Sequence, residues 1–194
     1  MRGEIDSSSG YESFAVEFLE RRCIGIGVKE VKEWAKSLPH GCSVIDVGCG
    51  PGFPLAEALL AEGLNVFGVD GSPMLVGAFR KNLPNNPVSC EAVQRSKFFD
   101  RTFDAVLSWG LVFLLEAEDQ RHLIQRFGDI LKPGGRLLFT APVRIAVWND
   151  AMTNVESRSL GAEEYRRLLA EAGFVVCREY EDVGENHYYE AVKQ

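Results

Sequence analysis

The chain has 194 residues, 46% hydrophobic and 25% charged, with 21 Lys and Arg against 28 Asp and Glu for a net charge of -7. That is enough for one domain with a substantial core and too little for two of ordinary size; the charge repels a phosphate backbone, and no apolar run nears the ~20 residues of a membrane span, so neither nucleic acid nor membrane is an expected partner. Five cysteines without a C-x-x-C pair indicate neither a disulfide framework nor a metal site, and a polar, acidic start without an apolar signal segment points to the cytoplasm.

Residues 1–9 read as a loose tail before the first periodic segment. From Tyr11, the residues Phe14, Ala15, Phe18 and Leu19 recur at helical spacing, and Val28, Val31, Ala35 and Leu38 do so in a second helix ended by Pro39, His40 and Gly41. SVIDVG is short, β-branched and bounded by glycine, which predicts a buried strand. Helix and strand then alternate: a helix over 55–61, a strand over 66–69, a helix over 73–82, then short strands over 88–91 and 103–108. Leu123, Phe127, Ile130 and Leu131 share one helix face before KPGG, and RLLFTAP supplies a further strand. Tyr165, Leu168, Leu169 and Ala172 mark the last helix, with Ser159 as a candidate cap and Gly173 past its end. Residues 174–180 and 188–192 read as two closing strands, joined by a polar turn too short for a crossover and therefore antiparallel.

This alternation specifies one doubly wound α/β domain with a mostly parallel sheet. Residues 1–39 form a helical segment ahead of the sheet domain, 40–194. Ligands of such a sheet occupy the crevice at the carboxyl ends of the strands.

The chemistry centres on VIDVGCGPGF. A dinucleotide turn requires G-x-G-x-x-G, whereas Gly48-Cys49-Gly50-Pro51-Gly52-Phe53 is G-x-G-x-G followed by a bulky ring. Asp46, just ahead of it, disfavours phosphate charge and attracts a cationic or amine-bearing ligand. The second strand ends in Asp70, 18 residues after Gly52, where an acid can accept both hydroxyls of a ribose. A nucleoside with a positively charged tail fits both acids.

In this order, VIDVGCGPGF, VFGVDGSPMLV, TFDAVLSWGLVFLL, LKPGGRLLFTAP and the AGF before the closing strands resemble the class I S-adenosylmethionine-dependent methyltransferases over about residues 40–180. The resemblance implies a Rossmann-like, seven-stranded sheet with an antiparallel last strand, and S-adenosyl-L-methionine as cofactor. It puts Gly48, Cys49, Gly50 and Gly52 beside the methionine moiety and Asp70, followed by Gly71, at the ribose. It also implies Met74 on the adenine, Ala92 and Val93 at its edge, Ser108 lining the methionine side, and N-terminal segments acting as lids. The acid that often contacts the adenine amino group has no match in register; Glu91 lies one position early and Gln94 two late.

On the acceptor side, His187 ends the GENH turn and is the candidate general base, with a structural role at the start of the last strand as the other reading. Tyr11, Trp109 and Trp148 are candidate walls of a substrate pocket, whereas Phe98, Phe99, Phe113 and Phe139 read as core. Asp182 and Glu185 read as solvated turn acids. Residues 108–111, Ser-Trp-Gly-Leu, lack the Pro-Pro-aromatic signature of base- and amide-modifying methyltransferases, which favours a small-molecule acceptor. The competing readings are a binding module without catalysis and a nicotinamide oxidoreductase; Phe53 and Asp46 argue against the latter. The acceptor atom and the oligomeric state stay open.

Overall fold

The computed structural model describes residues 8–21 and 25–194. Residues 1–7 of the expected tail, Arg22 and Cys23 lie outside the described residues.

All five residues of β1 (Ser43–Val47) are buried, as a β-branched run without polar alternation dictates. Beside it lie β2 (Asn65–Asp70) and β3 (Val88–Cys90) on one flank, β4 (Phe103–Ser108) and β5 (Leu131–Thr140) on the other. All four pairings are parallel. A two-stranded hairpin, β6 (Ala146–Asn149) and β7 (Glu156–Ser159), follows β5. The chain then closes with β8 (Phe174–Glu181) and β9 (His187–Lys193), where β9 is antiparallel to both β5 and β8. The main sheet has seven strands in the order β3-β2-β1-β4-β5-β9-β8, as the alternation of elements predicts. Leu131 opens β5 rather than closing the preceding helix.

Strand alternation divides the core into two layers. Ile45, Val106, Phe139 and Tyr189 pack beneath α5 (Ala117–Ile130) and α6 (Ala162–Glu171). Val44, Leu107, Leu138 and Tyr188 pack beneath α2 (Val28–Ala35) and α3 (Leu55–Ala61). Tyr188 and Tyr189 therefore support opposite layers, and Tyr189 stacks on Phe139 at 4.8 Å between ring centroids. No helix among the described residues is long and apolar enough to cross a membrane.

Three sequence expectations are corrected. Residues 144–159, for which the sequence predicts no strand, contain the β6–β7 hairpin, whose AVWN and ESRS strands are too short to show a period of two. Ser159 does not cap α6; it lies in β7, donating to the Pro142 carbonyl at 2.7 Å and accepting from Gly161 N at 3.1 Å. Ser8 and Ser9 are ordered into the turn that starts α1 (Tyr11–Arg21), where Ser8 Oγ accepts from Glu12 N at 2.8 Å.

Two adjacent features anchor α1. Glu12 accepts hydrogen bonds from Ser72 Oγ and from Met74 N at the start of α4 (Pro73–Asn82). Tyr11 OH lies 3.5 Å from Asp150 Oδ2, at the tip of the hairpin. The helix thus spans from α4 to the hairpin, across the carboxyl end of the sheet.

Candidate active site

The glycine turn between β1 and α3 is closed on itself. Gly48 N and Cys49 N both donate to the Val69 carbonyl, at 2.8 and 3.1 Å, Gly50 N donates to Asp70 Oδ2 at 2.8 Å, and Gly52 N to the Cys49 carbonyl at 3.0 Å. A phosphate cradle needs such N–H groups directed at the ligand. Here all four are spent inside the protein, so the turn suits a ligand that approaches backbone closely without carrying phosphate. Gly48, at φ +83°, is required by space as well as by conformation: a Cβ there would meet Leu111 Cβ at 2.9 Å.

Asp70 stands at the end of β2, 9% exposed. Its Oδ2 holds Gly50 N and its Oδ1 accepts from Ser72 N at 2.9 Å. Asp46, 3% exposed within β1, pairs with Gly68 and Leu107 behind the turn and does not reach the cleft surface.

A cleft with about 900 Å³ of atom-free space, its open mouth included, runs from this turn across β4 to the hairpin. Among the expected cofactor residues, Gly48, Gly50, Asp70, Gly71 and Val93 line it. The others are displaced for identifiable reasons. Cys49 is buried against Gly68, where a Cβ would lie 2.7 Å from its sulfur, and Gly52 packs on Phe79 and Leu83. Ser108 is fully buried and donates to the Val47 carbonyl at 3.0 Å. Ala92 is buried, 8% exposed, and does not join the lining. Met74 turns its side chain outward, 42% exposed, and Leu75 takes the place expected for it in the lining. Glu91 is occupied by Ser89 Oγ and Ser96 Oγ at 2.8 and 2.7 Å, and Gln94 Nε2 lies 3.5 Å from Asp119, so neither joins the lining.

Part of the cleft lining forms an aromatic chamber. Tyr11 and Trp109, both expected, line it together with Phe18, Leu111 and Phe113; Phe113 is thus a wall residue rather than core. Trp148 lies behind that wall, 5.7 Å from Phe113 between ring centroids, and does not itself reach the cleft. His187 is turned away. It points to the α5–α6 layer, with Nε2 3.1 Å from Glu179 Oε2 and its ring edge-on to Tyr189 at 4.8 Å. The reason is strand parity: Tyr188 faces the cleft layer, so its neighbour faces the opposite one.

Two polar residues that escaped the sequence reading, Asp150 and Asn186, line the chamber, and Asp182, expected as a solvated turn acid, organises the turn between β8 and β9. Asp182 Oδ1 accepts from Gly184 N and Asn186 N at 2.8 and 2.9 Å, and Oδ2 from Tyr188 OH at 2.8 Å. Tyr188 OH in turn accepts from Trp109 Nε1 at 2.8 Å. Burial alone would raise the Asp182 carboxyl, but the Asn186 backbone, Tyr188 and the other donors outweigh it and hold the group below its ordinary range. Burial and the neighbouring carboxylate push the Tyr188 phenol up, so it stays protonated and donating. An Asp followed two and four residues later by Gly and Asn is the sequence sign of such a self-bonding turn. Among the described residues, the cleft lining carries two carboxylates, Asp70 and Asp150, and neither Lys nor Arg.

This sheet order, with a strand-end acid facing a closed glycine turn, defines a Rossmann-like nucleoside-binding enzyme fold. A methyltransferase-domain family profile matches residues 44–135. Aklanonic acid methyltransferase DauC of Streptomyces sp. (strain C5) is 34% identical over 149 residues, which cover 71% of this chain and 62% of that protein. Ribosomal protein L11 methyltransferase of Thermus thermophilus is 33% identical over 136 residues, 67% of this chain and 51% of that one. This chain therefore spans about half to three-fifths of the length of these relatives. A solved S-adenosylmethionine-dependent methyltransferase from Clostridium acetobutylicum shares the fold, with a TM-score of 0.73 at 14% identity over 94% of this chain and 98% of the other. The amino pentose methyltransferase CalS10 of Micromonospora echinaspora does so at 0.70 and 17%, over 94% and 96%. Residues 44–135 thus carry a match to the methyltransferase domain, on a sheet that shares the fold of S-adenosylmethionine-dependent methyltransferases.

Proposed function

We propose that the protein transfers a methyl group from S-adenosyl-L-methionine to a nucleophilic atom of a small molecule. The observation that carries this reading is one cleft with unlike linings: Asp70 and a glycine turn whose four N–H groups are spent, together with the aromatic side chains Tyr11, Phe18, Trp109 and Phe113. S-adenosylmethionine, when bound, supplies a methyl group already activated by its sulfonium.

The chain's residues have two tasks, to align and to exclude water. Gly48, Gly50 and Gly71 border the methionine moiety, Asp70 accepts the ribose hydroxyls, and Leu75 and Val93 flank the adenine. Trp109, Leu111 and Phe113 wall the acceptor. Of the segment 1–39 ahead of the domain 40–194, the described residues 8–21 act as a cover, with α1 closing the cleft through Tyr11 and Phe18. No described side chain in the lining is an imidazole, so a nucleophile that arrives deprotonated, or loses its proton to solvent or a carboxylate, fits better than one served by His187. The relatives are named for an acid, an amino sugar and a ribosomal protein, which span several classes; the largely apolar, aromatic lining, without Lys or Arg among the described residues, favours the small molecules.

Titration calorimetry with S-adenosylmethionine and its demethylated product, followed by a methyl-acceptor screen, tests the reading. Binding of both with methyl transfer to an acceptor is expected. Binding of NAD in their place overturns it, and cofactor binding without transfer to any acceptor leaves a binding module.

A further inference from the structure

Resting on the reading of the chamber as the acceptor site, we propose that Asn186, oriented by Asp182, selects the acceptor, and that it selects a molecule presenting an N–H or O–H donor on an apolar body.

Asn186 is the one residue of its turn that lines the cleft. Its Nδ2 lies 3.1 Å from Asp182 Oδ1 and 3.0 Å from Oδ2. An ionised carboxylate only accepts, so the NH2 side of the amide must face Asp182. The orientation of the amide is thereby fixed, and Oδ1 is the group it offers to the chamber. Asp182 is itself held by Gly184 N and Tyr188 OH, so the acceptor is presented on a rigid support.

One other loop repeats the arrangement. Asp150 Oδ1 takes Met152 N, Thr153 N and Thr153 Oγ1 at 3.1, 2.8 and 2.9 Å, whereas its Oδ2 receives Tyr11 OH only at 3.5 Å and retains accepting capacity. Trp109 spends its single N–H on Tyr188 OH, so its remaining surface is carbon. Gly27 makes room for this indole edge, since a Cβ there would lie 2.7 Å from Trp109 Nε1. The chamber therefore sets acceptor oxygens from two loops beside an apolar wall. A hydroxyl or amine satisfies the Asn186 carbonyl; a group without a donor leaves it desolvated and unmatched, which is the costly case.

The test uses two probe pairs that differ only in the donor: 2-phenylethanol against its methyl ether, and 2-phenylethylamine against its N,N,N-trimethyl derivative, which keeps the charge without an N–H. Binding is measured by calorimetry on the protein saturated with S-adenosylhomocysteine. The donor member of each pair is expected to bind about tenfold more tightly or better. Asn186→Leu, close in shape, and Asp182→Asn, which frees the amide to turn over, should each bring the donor probes to the level of their capped partners while S-adenosylhomocysteine affinity is unchanged. Asn186→Leu leaves the Asp182 turn its backbone bonds, so it stays informative if Asp182→Asn fails to fold. Equal or tighter binding of the capped probes, a gap that survives Asn186→Leu, or no binding of either donor probe overturns the proposal. A protein that ignored S-adenosylhomocysteine yet still preferred the donor probes would overturn the methyl-transfer reading and leave this one standing.

Discussion

The Gly50 N–H and the Asp70 carboxylate are joined at 2.8 Å, and the other Asp70 oxygen holds Ser72 N at 2.9 Å. One acid thus fixes both the glycine turn and the start of α4, the two segments that border the proposed nucleoside site. Asp70→Asn cannot reproduce this, because an amide has one acceptor oxygen and would set its NH2 against a backbone N–H. We expect the variant to weaken S-adenosylmethionine binding by about tenfold or more and to lose about 1.5–3 kcal/mol of stability. Calorimetry and urea denaturation measure the two effects; unchanged affinity would remove Asp70 from the ribose site.

Gly52→Ala tests the packing behind the turn. At φ +74° a Cβ would lie 2.7 Å from Phe79 Cδ2 and 2.8 Å from Leu83 Cδ1, both partners being side chains held in the core layer. Strain and overpacking together should cost about 2–4 kcal/mol in urea unfolding. Cofactor affinity should fall with it, because the same turn carries Gly48 and Gly50.

His187→Ala should leave cofactor affinity and turnover unchanged. The ring contacts Glu179 and Tyr189, not the cleft, so the expected loss is about 1 kcal/mol of stability. A collapse of turnover with cofactor binding intact would restore the general-base role.

The amino ends of β1, β4 and β5 meet at Asp104, which accepts from Ser43 N, Ser43 Oγ and Lys132 Nζ at 2.8, 2.6 and 2.6 Å. Partial burial pulls its carboxyl up, but Lys132 and the two Ser43 donors outweigh it and lower the group to about 2. A carboxylate depressed in the folded state stabilises fully above its unfolded value of about 4 and loses that contribution as pH falls toward 2. Asp104→Asn should therefore flatten stability against pH between about 4 and 2, measured by thermal melts. The side chain is 34% exposed, so salt should shrink the effect.

The glycine turn, Asp70 and the seven strands were legible because each rests on local pattern: a β-branched run, a broken G-x-G-x-x-G, an acid at a strand end. Asn186 and Asp182 were not, because their meaning depends on Tyr188 and through it on Trp109, 79 positions away in the chain. A turn rich in Asp, Gly and Asn looks solvated until its partner is known. Met74 and Leu75 were exchanged for a related reason: the resemblance locates the start of α4, but the helix phase that turns one side chain outward and its neighbour inward is fixed by packing against α1. His187 failed on parity, which one misjudged strand residue inverts.

The place of β9 in the sheet also governs how the protein is made. It is translated after every other strand of the main sheet, yet it lies between β5 and β8. On the ribosome the half from β1 to β5 can assemble early, while β8 has no strand to pair with until residues 187–193 emerge. During that interval the β5 edge stands open, a window in which a chaperone, or another nascent chain, meets an unpaired strand.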